Sequence, residues 1–322
     1  MERSKQLYVG KVFAILSVIC AHMTLTIDKG QAGWLADKII AVYGTIGVAF
    51  FFLCAGYYYH REKGDSVVFW KKKLKGIILP WIICSVLTYI LNVILSSQAY
   101  SIIGQIKWTM GYMTWYYFVP VLLFSFMWFS SLNNIYWLYI TILISIVSNI
   151  LTIAKIWWVT DWCTPYTNPF NWLIFFALGI MWRKKEQYLK KIVSKSSLVV
   201  ISSVVFVGIY VLWIFYNVEI SYWNFFSLFF EILGCIVILY LAWYLRKISC
   251  LQRLGKNTFF IYLIHMQIAG IINTRLPQNP FFYLFKPLIV LAFMWGLVEV
   301  IIAVATLCNL KKILWIIGVR TE

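Results

Sequence analysis

Lys11 and His22 stand eleven residues apart in a run, Tyr8 to Ile27, that is otherwise almost wholly apolar and long enough to cross a bilayer. Eleven steps of about 100° leave about 20° of net rotation, so a helix presents both side chains from one face, separated by about 16 Å of rise. If the helix enters from the cytoplasm, Lys11 sits at the inner surface and His22 in the outer half of the apolar layer. An imidazole has an ordinary pKa near 6.5 and suits general-base work at neutral pH. A buried imidazole above a surface cation points to chemistry carried out inside a membrane.

Ionisable groups within a span are costly, and each is a functional candidate. Besides His22 the chain offers Glu231, His265 and Glu299. Either histidine could instead bridge two helices through hydrogen bonds. Either glutamate could be a buried acid held neutral by desolvation, or the structural partner of a basic group. The run Phe69-Trp70-Lys71-Lys72-Lys73-Leu74-Lys75, leading to Gly76 and Pro80, reads two ways. It anchors the chain on anionic lipid, or it clamps the phosphates of a nucleotide-bearing donor.

The elements that must position these groups follow from composition. With 62% hydrophobic residues, 12% charged residues and a mean hydropathy of +0.82, no single water-soluble core could hide the chain. The expected fold is all-α, a polytopic membrane helical bundle forming one domain over residues 1–322. The net charge of +17 does not signal nucleic acid, because the cations collect in short clusters between apolar runs. Seven cysteines are scattered without a CxxC pair and read as small core hydrophobes, so neither a zinc site nor a disulfide framework is expected. Ala21-His22-Met23 is a poor cleavage site, and the first apolar run reads as a span rather than a signal peptide.

Apolar windows give about ten spans, near 8–27, 38–59, 76–97, 110–130, 135–154, 166–182, 197–217, 223–244, 258–275 and 284–310. Of the 28 lysines and arginines, 22 fall in residues 1–11, 60–75, 183–195, 245–256 and 311–322. The other six are Lys29, Lys38, Lys107, Lys155, Arg275 and Lys286. That asymmetry places both termini in the cytoplasm and His22 nearer the outer surface. Trp157-Trp158 and Tyr222-Trp223 are expected at the outer interface. No self-similar repeat and no matched pair of Gly/Pro-broken helices is evident, which weakens an inverted-repeat transporter.

Six elements, in order, carry a resemblance to a family. They are Lys11-x10-His22, the run Phe51-Phe52-Leu53-Cys54-Ala55-Gly56-Tyr57, and the basic stretch through Lys75 ending at Pro80. Trp115-Tyr116-Tyr117, Asn168-Pro169-Phe170 through Gly179, and Leu254-Gly255-Lys256-Asn257-Thr258-Phe259-Phe260-Ile261-Tyr262-Leu263-Ile264-His265 complete the set. Together the chain resembles the acyltransferase 3 family of integral-membrane acyltransferases. It departs from the family pattern in having Ala55 where a serine is usual and lysines where an Arg-x-x-Arg pair is common. Ammonium groups cannot make the bidentate phosphate contacts of guanidinium.

The resemblance implies transfer of an acetyl or similar acyl group from cytoplasmic acyl-CoA to a hydroxyl of a surface or lipid-linked glycan. In that reading His22 is the general base, and Lys11, Lys72 and Lys75 hold the donor phosphates. Trp115, Tyr116, Tyr262 and His265 are possible substrate or oxyanion contacts, and Glu231 and Glu299 possible buried acids. A transient acyl-histidine stays open beside general-base transfer. Expected partners are the bilayer, acyl-CoA as donor substrate rather than resident cofactor, and the glycan acceptor; nucleic acid and metal are not expected. The expected location is a cell membrane, the bacterial plasma membrane, crossed many times. Two other classes remain: a proton-coupled transporter or flippase using His22, Glu231 and Glu299 as a relay, and a sensory or uptake module on the same fold.

Overall fold

The structure, a computed structural model, describes residues 2–24, 27, 30–60, 66–132, 136–154, 164–185, 196–215, 225–275 and 279–321. Every regular element among them is helical. They are α1 (Glu2–His22), α2 (Trp34–Gly44), α3 (Ile46–Tyr57), α4 (Ser66–Lys73), α5 (Leu79–Ser96), α6 (Ile102–Met110) and α7 (Phe118–Ser131). Then come α8 (Tyr136–Ile153), α9 (Pro169–Lys184), α10 (Ser196–Phe215), α11 (Phe225–Leu245), α12 (Ser249–Lys256), α13 (Thr258–Arg275) and α14 (Pro280–Leu307). A π turn, Leu74–Ile78, joins α4 to α5, and 3-10 turns occupy Trp115–Tyr117 and Lys311–Ile317.

Each of the ten expected windows holds helix, but fewer are full spans. Among the described residues, six stretches are long and apolar enough: Glu2–His22, Trp34–Tyr57, Ser66–Ser96, Tyr136–Ile153, Ser227–Leu245 and Phe282–Leu307. A seventh arises if α6 and Trp115–Ser131, which bend by 59° at their junction, count as one. For two helices the shortfall has a physical cause. α9 has 16 residues, too few to cross about 30 Å of hydrocarbon at 1.5 Å per residue without its flanks. α13 is long enough but carries His265, Gln267, Asn273, Thr274 and Arg275, which lower its hydropathy. Lys29, Lys155, Trp157-Trp158, the loop residues 161–163 and 217–222, and Tyr222-Trp223 lie outside the described residues.

The helix bearing Lys11 and His22 is central. α1 packs on α2, α3, α11, α12, α13 and α14, with Leu7, Ile15 and Ile19 fully buried. A helix apolar on nearly all sides buries itself this way, which holds its few polar side chains inside the bundle. Arg3 lies 5.5 Å from the Trp182 ring and 5.6 Å from the Trp243 ring, and Lys256 lies 5.9 Å from that of Tyr8. The start of α1 and the ends of α9, α11 and α12 therefore meet, gathering many of the described cations at one end of the bundle.

Close crossings use the glycines of the sequence elements. A Cβ on Gly56 would lie 2.0 Å from the Phe176 carbonyl oxygen, and one on Gly179 would lie 2.1 Å from that of Leu53. Each glycine thus admits the partner's backbone at the α3–α9 crossing, the close approach that small residues permit between membrane helices. Asn168 caps α9 by accepting from the Phe170 N–H at 3.1 Å, while buried Asn171 accepts from Ser148 on α8 at 2.7 Å. Gly179→Ala is expected to cost about 1–3 kcal/mol through forced separation of α3 from α9, read as a lower unfolding temperature in detergent. Gly208→Ala, where a Cβ meets no atom within 4 Å, serves as the neutral comparison.

Candidate active site

Pro80 shapes the basic segment. Lacking an N–H, it cannot close the α-helical bond to the residue four before it, and the preceding turn widens. The Leu79 N–H instead reaches back to the Leu74 carbonyl, completing the π turn. Such turns interrupt α-helices frequently at functional sites. Here the turn presents Lys75, Gly76 and Ile77 to a cavity of about 560 Å³, together with Lys72 and Lys73 just before it.

Lys11 lines the same cavity, as do Cys54 and Ala55 of α3 and Thr258, Phe259 and Tyr262 of α13. Lys11, Lys72 and Lys75, expected to act together, are thus brought together. Two further cations join them, Lys73 from the same basic run and Arg320, which was not foreseen. Lys73 was in plain view between Lys72 and Lys75, whereas nothing in local spacing marks Arg320. Among the described lining residues there is no carboxylate, and the cavity they form is a cationic bowl with an aromatic and aliphatic floor. Its charge and size suit a small organic anion bearing several negative groups. The Lys11 ammonium sits 5.2 Å from the Tyr58 ring and 5.5 Å from that of Tyr8, aromatic faces that stabilise a cation taken from water.

His22 ends α1 beside His265, their ring centroids 5.2 Å apart. His265 is fully buried, and its Nδ1 lies 2.7 Å from the Tyr262 carbonyl oxygen. A carbonyl can only accept, so that nitrogen carries the proton and Nε2 keeps a lone pair. Nε2 is buried with no hydrogen-bond partner among the described residues. The Trp115 ring packs edge-on at 6.1 Å and the Tyr262 ring at 5.8 Å, completing an aromatic collar around His265. Neither imidazole lines the cationic cavity, but Tyr262 touches both regions.

The collar is fixed by hydrogen bonds that also redefine its members' roles. Tyr262 donates its hydroxyl proton to the Trp115 carbonyl, and Tyr116 donates its own to the Leu263 carbonyl at 2.7 Å. Trp115 Nε1 also reaches the Leu263 oxygen, at 3.3 Å. With these protons committed to backbone, neither tyrosine has one to offer an oxyanion in this arrangement. Tyr116, Tyr262 and Trp115 instead hold α13 against the 115–117 turn and so set the His265 ring.

The two acids part company. Glu299 forms an ion pair with Arg253 and accepts from Trp295 Nε1 at 3.2 Å, and its side chain is 33% exposed. It is therefore not the buried acid expected from its place in an apolar run. The reason is length: α14 has 28 residues, about 42 Å of helix against about 30 Å of hydrocarbon, so its far end reaches α12 and the cation-rich end of the bundle. Glu299→Gln is expected to leave function within about twofold, as befits a partly exposed ion pair; a proton relay through Glu299 would instead lose transport outright. Glu231 does meet the expectation of burial, with 3% exposure and an unpartnered Oε1. Its electrostatic neighbours are Tyr117, Tyr166 and Cys235, which sets it apart from the histidine pair. Among the described residues no cluster of three or more histidine, cysteine or carboxylate groups is arranged to hold a metal ion.

Comparison with known families shows that a family model described as an acyltransferase domain, Acyl_transf_3, matches residues 5–308. Neither a search of curated proteins nor one of solved structures finds a match.

Proposed function

The chain belongs to the acyltransferase 3 family, and on that premise we propose that this multi-pass membrane acyltransferase moves an acetyl or similar group from acyl-CoA to a hydroxyl of a surface or lipid-linked polysaccharide. The observation that carries the reading is the single helix α1, which delivers Lys11 to a cavity lined by five described cations and His22 to the side of the buried His265. The cation-rich end faces the cytoplasm in this account, with both termini, and the donor's phosphates rest on Lys11, Lys72 and Lys75. The pantetheine arm then follows α1 past the Tyr262 ring toward His22, over about 16 Å of helical rise.

At His22 the acceptor hydroxyl oxygen attacks the thioester carbonyl as the imidazole takes its proton. The carbon–sulfur bond breaks, the oxygen keeps the acyl group, and the proton passes to the departing thiolate to give free CoA. The aromatic collar keeps water from the thioester, and the acceptor approaches from the outer half of the membrane. The donor is consumed as a substrate, and no resident cofactor enters this scheme. The relay alternative loses support because Glu299 pairs with Arg253 rather than with His22.

Mass spectrometry of surface glycans from cells with and without the protein tests this. Loss of an alkali-labile acyl mass on deletion, restored by the wild-type gene, is the expected result. Identical glycan spectra would remove polysaccharide acylation as the function.

A further inference from the structure

Residues after the last long helix fold back onto the cationic cavity. The 3-10 turn Lys311–Ile317 buries Leu314, and Val319 is buried just beyond it. Gly318 ends the turn at φ +84°, a conformation that other residues adopt at a cost, and lies against Pro80 and Phe259. Buried Asn257 clamps the segment twice: its Oδ1 accepts from the Arg320 N–H at 2.7 Å, and its Nδ2 donates to the Arg320 carbonyl at 3.2 Å. Cys84 adds a longer contact, 3.8 Å from sulfur to the Ile317 carbonyl. The strap is thus tied to the first half of α5 and to the start of α13, whose Thr258, Phe259 and Tyr262 line the cavity.

Its side chains face that space. Trp315, Gly318 and Arg320 all line the cavity, as do Lys72, Lys73 and Lys75. Trp315 is 39% exposed, and Lys75 Nζ lies 5.8 Å from its ring. These residues lie beyond the stretch, 5–308, that aligns with the family. A flat aromatic face beside cations is the arrangement that receives a purine base and its phosphates.

We infer that the strap 311–320 is the nucleotide-reading wall of the donor site, with Trp315 stacking on the base and Arg320 contacting a phosphate. The inference rests on the acyl-CoA reading above and adds to it which residues distinguish a nucleotide-bearing donor from a bare thioester. A guanidinium fork at this wall also supplies the bidentate phosphate contact that the lysines of the basic segment cannot make.

The test is calorimetric binding to the purified full chain in nanodiscs, with CoA and S-acetylpantetheine, which lacks the nucleotide, as probes. Arg320→Ala and Trp315→Ala are each expected to weaken CoA binding roughly tenfold. Arg320→Lys should recover part of the loss, and Lys311→Ala, whose side chain does not line the cavity, should match the wild type. Affinity for S-acetylpantetheine should be the same in every variant. Both Ala variants carry exposed side chains, so each is expected to fold, checked by the unfolding temperature. Wild-type CoA affinity in folded Arg320→Ala and Trp315→Ala proteins would overturn the wall while leaving the donor reading intact. A wild-type protein that binds no CoA would overturn both.

Discussion

His22→Ala is expected to lower glycan acylation by about 10²- to 10⁴-fold, the usual worth of a positioned general base, while the protein inserts and folds as before. The side chain ends α1 and is half-buried, so its loss opens little of the packed core. Among the described residues the imidazole has no hydrogen-bond partner that its loss would strand, and its neighbour His265 is held by the Tyr262 carbonyl rather than by His22. The variant separates chemistry from stability for that reason. Acylation per unit of membrane protein, with the unfolding temperature as control, checks it. His22→Gln should fail equally, because an amide keeps the polarity and loses the basicity.

Removing the three lysines, Lys11, Lys72 and Lys75, together is expected to weaken acetyl-CoA binding by at least about 100-fold. A charge-assisted hydrogen bond contributes roughly 1.5–3 kcal/mol, and contacts to one ligand do not add fully. All three line one cavity with no carboxylate among its described lining residues, so each loss removes positive charge from the wall. Equilibrium binding of labelled acetyl-CoA at rising salt measures it. Wild-type affinity should fall with ionic strength, and the triple variant should respond far less, because screening acts on the cations that are gone. Unchanged affinity would leave the lysines as anchors on anionic lipid.

What the sequence made legible lies mostly within single helices. Lys11 and His22 could be placed on one face because one helical period governs both, and the basic run could be placed at the start of a span because Pro80 follows it. The pairing of His22 with His265 could not be read, since it depends on how α1 meets α12 and α13. Gly255 sets that approach: a Cβ there would lie 1.9 Å from the Tyr8 carbonyl oxygen, so only glycine lets the two chains touch. Nothing in the periodicity of either helix encodes the crossing. The hydroxyls of Tyr116 and Tyr262 looked available because sequence does not show which main-chain carbonyls will face them. For Glu299 the structure takes the second of the two readings left open, partner of a basic group, and that partner, Arg253, comes from a short helix that apolar windows pass over. Arg320 joins the cavity through the Asn257 clamp, a contact across 63 residues of chain.

The count of spans shows the same division. Windows of apolar residues located helix at every expected place, but whether a helix is a full span depends on its ends, and 16-residue α9 closes on Arg183 and Lys184 in its last turn. Its burial comes instead from the α3 crossing at Gly56 and Gly179.

The most direct test supplies isotope-labelled acetyl-CoA to the cytoplasmic face of sealed, inverted membrane vesicles that hold equal amounts of wild-type or His22→Ala protein, and counts label in the glycan fraction. The account predicts label in glycan with the wild type and almost none with the variant. Equal labelling by the two proteins would contradict it.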